Sequence, residues 1–159
     1  MHGFFTPFGF GITLDAPHHR ALARTRAALL AEGFGIVSEV DLGATLQARL
    51  GADIGSYVLL GVCSAPLAFQ ALREDRDVGL LLPCTVAVYD RDDGRTVVTA
   101  MDPVTLFATA ANRALMPLAA EAASRLRRAL ETVMQSESGV AAPMQSAPAA
   151  SAEVVEEIC

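Results

Sequence analysis

Apolar and polar positions along this chain follow two periods, and the points where the period changes mark its elements. Phe8-Gly9-Phe10-Gly11-Ile12-Thr13 predicts a first strand. Asp15 can cap the helix that follows, with Pro17 in its first turn. Leu22, Leu29 and Leu30 are its apolar positions, and Gly33 is a left-handed stop. Phe34, Ile36 and Val40 alternate through a second strand, with Ser38 on the same face. Asp41 caps a short helix with Leu42, Leu46 and Leu50 on one stripe, ending at Gly51. Tyr57 to Val62 is apolar without alternation, as expected of a strand covered on both faces.

The second half repeats these signals. Ser64 can cap a helix with Pro66 in its first turn and Leu67, Ala71 and Leu72 inward. Cys84 to Tyr89 and Arg95 to Ala100 read as strands joined by the turn Arg91-Asp92-Asp93-Gly94. Asp102-Pro103 is again a cap followed by a first-turn proline. Pro117 opens a last helix with Leu118, Ala122, Leu126, Leu130 and Val133 inward. The expected fold is α+β, a mixed, mainly antiparallel sheet of about five strands packed by helices. Pairing Asp90 with Arg95 would set Cys84 opposite Met101, and a slip of one residue would set it opposite Asp102. Residues 64–83 can return the chain so that Cys84 starts beside Cys63.

Composition narrows the functional classes. The 159 residues suit one domain with a real core. Residues 1–134 carry the periodic pattern. Residues 135–159 read as a disordered tail, rich in Ala, Ser and Pro and acidic at its end. Hydrophobic residues make up 52 % and charged residues 19 %, which predicts surface buried against a second copy, a homodimer. All 12 basic residues are arginine, so lysine Schiff-base and phosphate-loop chemistry are excluded. A net charge of -6 without a basic stripe argues against nucleic acid. The sequence shows no membrane-spanning run and no secretory signal, so a cytoplasmic protein is expected.

Candidate chemistry concentrates in three signatures. Gly61-Val62-Cys63-Ser64-Ala65-Pro66-Leu67-Ala68 comes first, Leu80-Leu81-Leu82-Pro83-Cys84 second and Met101-Asp102-Pro103 third. Their order and spacing, with Gly33-Phe34-Gly35-Ile36 and Ala44-Thr45-Leu46 upstream, resemble the DUF302 family, a domain of unknown function, over residues 8–134. The chain departs from the family pattern at Ser64-Ala65, where Asn-Pro is frequent, at Phe69, where histidine is common, and at Gly43, where lysine is frequent. The resemblance implies an α+β domain and a sheet edge built from Cys63, Pro66, Cys84, Asp102 and Pro103. It brings no activity with it.

The candidate ligand-binding residues are therefore Cys63, Ser64, Pro66, Pro83, Cys84, Met101, Asp102 and Pro103. A non-enzymatic small-ligand-binding or sensing domain, with a pocket at this edge, is favoured over an enzyme. A second reading makes Cys63, at a helix N-terminus, a reactive thiolate resolved by Cys84, or lets the two cysteines with Met101 and Asp102 hold a soft metal. A third makes every signature a packing or capping device, with Asp102 a helix cap. No catalytic residue or cofactor is assigned. His18 and His19, about 100° apart on a helix, read as surface residues.

Overall fold

The computed structural model describes residues 3–137. The 135–159 tail thus lies almost wholly outside the described residues. Six strands form one sheet: β1 (Gly3–Phe5), β2 (Gly9–Leu14), β3 (Gly35–Asp41), β4 (Tyr57–Cys63), β5 (Cys84–Asp90) and β6 (Thr96–Met101). Their order is β1-β2-β6-β5-β4-β3, and every pair is antiparallel. The expected five strands become six because Thr6-Pro7-Phe8 turns the chain back into a short hairpin. The Thr6 hydroxyl accepts from the amides of Phe8 and Gly9, at 3.2 and 3.0 Å. The expected parallel component is absent among the described residues, since each crossover returns its strand antiparallel.

Helices α1 (His18–Ala31) and α5 (Met116–Gln135) pack together over one sheet face. Leu14, Leu60, Val62, Val86, Val88 and Val98 rise from that face into the main core, which also takes Leu29, Leu126 and Val133 from the helices. Contrary to the expected Asp15 cap, α1 begins at His18 with extended Pro17 in the cap position and no side-chain cap bond. Asp15 falls too early because Ala16 is tied to β6, its carbonyl accepting from the Thr96 hydroxyl at 2.7 Å. The helix stops as expected at Gly33, φ +84°, where Phe34 N–H donates back to the Leu29 carbonyl at 3.0 Å. Leu30 is 58 % exposed, because it lies about 100° around the helix from fully buried Leu29.

Helix α2 (Leu42–Leu50) is capped by Asp41, whose carboxylate accepts from Ala44 N–H at 2.8 Å. Its leucine stripe is not its buried side: Gly43 is, packed so closely that a Cβ would stand 2.5 Å from the Gly55 carbonyl oxygen. In β3 a bulge between Ile36 and Ser38 shifts the phase, so Ile36 shares the helix-covered face with Val62 while Ser38 and Val40 turn to the opposite face. The alternation read across residues 34–40 therefore does not hold through the bulge.

That opposite face belongs to neither core cluster. Its cross-strand rows run Tyr57–Tyr89–Val97–Thr13, then Val40–Leu59–Ala87–Thr99–Gly11, then Ser38–Gly61–Thr85. Tyr57 and Tyr89 stack with centroids 4.9 Å apart. Tyr57 and Leu59 are half-buried, so β4 is fully covered on one face only.

A second, smaller core lies beside the first. It joins Ala71 of α3 (Ala65–Glu74), Val78 of the 3-10 turn Arg76–Leu81, Phe107 of α4 (Pro103–Phe107), and Leu115 and Ala119 at the start of α5.

Candidate functional site

The three sequence signatures meet at one end of the sheet, where β4 stops and β5 starts. Val62 pairs with Cys84 there, so Cys84 does begin beside the end of β4. The β5–β6 register pairs Asp90 with Thr96, and continuing it sets Cys84 opposite Asp102, the register slipped by one residue. The reason is the turn: Arg91 N–H bonds to the Arg95 carbonyl, which places both residues in the loop and starts the ladder one residue later.

A cavity opens at this end, on the seam between the two cores. Val62, Cys84 and Phe34 form the side toward the main core, and Ala71 and Phe107 the side toward the small one. Cys63, Ser64, Leu67 and Ala68 line it from the end of β4 and the first turns of α3. Pro103, Leu82, Leu118 and Ala122 complete it. The free space between the lining atoms, counted out to the mouth, is about 400 Å3, but water-sized spheres can centre in only about 30 Å3 of it. The smaller figure decides what fits, because the larger includes open solvent. It admits a water or two, or a short narrow ligand.

Ser64 is the polar feature of this wall. It occupies the N-cap position of α3, yet its side chain makes no cap hydrogen bond. The residue is only 5 % exposed, and its Oγ is buried without a hydrogen-bond partner. Its carbonyl does serve the helix, accepting from Ala68 N–H at 2.8 Å. The expected side-chain cap is thus replaced by an orphaned hydroxyl, which costs about 1–3 kcal/mol when nothing satisfies it.

The two cysteines differ. Cys84 shares its face with Val62 and belongs to the main core. Cys63 is the next residue along β4 and pairs with Gly35, so the pleat turns its side chain to the other face. Side chains on opposite faces do not bridge without backbone movement. Burial pushes the Cys84 thiol up to about 11, so it stays protonated at neutral pH.

Asp102 is a helix cap: its carboxylate accepts from Val104 N–H at 3.0 Å and stands 3.6 Å from Arg127. Arg127 in turn lies 4.9 Å over the Phe10 ring. Of the candidate residues, the cavity gathers Cys63, Ser64, Cys84 and Pro103. Pro66 sits in the first turn of α3, Pro83 packs over Gly61, and Met101 pairs with Gly9 beside the main core. Among the described residues no three His, Cys, Asp or Glu side chains are grouped to hold a metal ion. His18 is spent on structure, its Nε2 lying 3.0 Å from the Val88 carbonyl oxygen. Sequence reasoning missed Phe34, Phe107, Leu118 and Ala122 as cavity walls. Leu118 and Ala122 carried a signal, the inward stripe of α5, but not the knowledge that the stripe faces a gap.

An α+β domain of one antiparallel sheet, covered by two helices on one face and hollow at one end, is the class these observations define. The family model for "Domain of unknown function DUF302" matches residues 10–133, and the chain belongs to that family. A crystal structure of an uncharacterized conserved DUF302 protein from Bacillus stearothermophilus is similar at 28 % identity and a TM-score of 0.75, covering 80 % of this chain and 99 % of that one. No curated protein matches the chain. No helix among the described residues is long and apolar enough to cross a membrane.

Proposed function

We propose that this domain binds or senses a small ligand without transforming it, and that it does so as a homodimer. The ligand enters the seam cavity and directs its one hydrogen-bonding group at Ser64 Oγ. The observation that carries this reading is that buried, unpartnered hydroxyl on a residue that lines a mainly apolar cavity. Buried polar groups are almost always satisfied, and a ligand that satisfies this one recovers its desolvation cost. The narrow space selects a short, mainly apolar molecule with a single hydroxyl, carbonyl or carboxyl group. The raised pKa of Cys84 and the opposite facing of the two cysteines favour this reading over thiol redox or soft-metal chemistry.

Two probes test it: isobutanol, which carries one hydroxyl, and xenon, which carries none. Backbone amide spectra should shift at Ser64, Leu67 and Phe107 with both. Ser64→Ala should weaken isobutanol about tenfold, the worth of one hydrogen bond, and leave xenon unchanged. Silence at those amides, or equal weakening of both probes, sinks the proposal.

A further inference from the structure

The sheet face turned away from α1 and α5 carries no charged side chain in any of its three cross-strand rows. This occurs in a chain with 12 basic and 18 acidic residues. An antiparallel sheet facing water ordinarily alternates apolar-in with polar-out, and charges collect on the outer side. Here half-buried Tyr57, Tyr89 and Leu59 stand where those charges belong and Val40 is 45 % exposed, while Ala87 and Val97 between them are already buried within the chain. Such a face is normally covered.

We propose that it is covered by the same face of a second copy, the two sheets stacking about a twofold axis. Two observations select this occupant. Each copy carries a net charge of -6, and a neutral face lets two such copies meet without opposing like charges. A partner recognised by charge would find nothing to hold on these rows. The area suits a weak, concentration-dependent dimer: twelve positions of about 4.8 by 6.7 Å cover roughly 400 Å2, so a pair buries on the order of 800 Å2, at the low end of specific contacts. Stacked sheets keep about 10 Å between them, a gap that interdigitated Tyr, Leu and Val side chains fill. The inference rests on the homodimer already proposed and names its face, and it stands without the ligand.

The chain has no tryptophan and two tyrosines, Tyr57 and Tyr89, both on this face, so intrinsic emission reports on this face alone. Sedimentation of the full chain at micromolar concentration should give twice 16.7 kDa. Dilution should change the tyrosine emission as the mass falls to that of one chain. Leu59→Arg and Val40→Arg, at half-buried and exposed positions, should raise the dissociation constant at least ~100-fold, because each buries an unpaired charge. Leu30→Arg, on the outer side of α1, should leave the dimer intact. A monomeric wild type overturns the proposal and makes residues 138–159 the next occupant to test. A dimer that survives both Leu59→Arg and Val40→Arg with native circular dichroism overturns it equally.

Discussion

The two faces of this sheet are built from the same strands, yet they follow different rules. On the helix-covered face, Leu60, Val62, Val86, Val88 and Val98 are aliphatic and fully buried. On the other, Tyr57, Leu59, Ala87, Tyr89, Val97 and Thr99 mix aromatic, aliphatic and hydroxyl groups, several of them half-buried. Charge is missing from the buried positions of the first and from the cross-strand rows of the second, while Glu39 and Asp41 mark the outer border of the helix-covered side. A core face excludes charge because burying it is expensive, and an ordinary solvent face has no such constraint. The difference therefore separates two reasons for being apolar: one face packs its own helices, and the other is neutral without any helix to pack.

Adjacent leucines, Leu59 and Leu60, test the two faces most directly. Leu60→Ala should cost about 2–5 kcal/mol in denaturant unfolding, because it opens a void in the main core. Leu59→Ala, one residue away on the open face, should cost under about 1 kcal/mol when measured at concentrations dilute enough to keep the chain single. Equal losses would mean that the second face is also packed from within.

Cys84 and Cys63 repeat the contrast at the strand end. Cys84 holds its proton to about pH 11 when folded, against an ordinary 9.0. Below pH 9 both states are protonated, so nothing is lost. Between pH 9 and 11 only the unfolded chain releases the proton, so stability falls as pH rises. The loss reaches about 3 kcal/mol at most, and Cys84→Ser should abolish that part of the alkaline slope. A slope indifferent to the substitution would contradict the burial of Cys84 in the main core.

The smallest effect concerns two caps. Asp102→Ala removes a bonded cap and should destabilise by about 1 kcal/mol. Ser64→Ala removes an orphaned hydroxyl and should be neutral or stabilise by up to ~1 kcal/mol, the opposite sign. Thermal melts of the two variants side by side read this directly. A destabilised Ser64→Ala would mean that the hydroxyl caps α3 after all.

Much of this was legible in residue order. Period two, period 3.6 and the stops at Gly33 and Gly51 locate the helices and strands, because backbone requirements are local. The caps at Asp41 and Asp102 were legible for the same reason. What depends on tertiary geometry was not. The bulge after Ile36 leaves no mark in an apolar-polar string, and it moves Val40 to the far face. Ser64 reads as a cap in any sequence, and only the packing around the first turn of α3 leaves its hydroxyl buried without a partner beside a cavity. Cys63, Ser64, Cys84 and Pro103 could be gathered from motif spacing, but Phe34 and Phe107 reach the cavity from distant parts of the chain.

The bulge in β3 has a consequence for how the protein behaves in a crowded solution. β3 is an outermost strand, and its exposed backbone groups are a template on which another chain could extend the sheet. The bulge kinks that template, and the exposed carboxylates of Glu39 and Asp41 charge it, with Glu39 paired to Arg26 of α1. At the opposite border β1 is only three residues long, too short to seed much. Both borders thus discourage lateral growth into fibrils, which favours contacts that close on themselves.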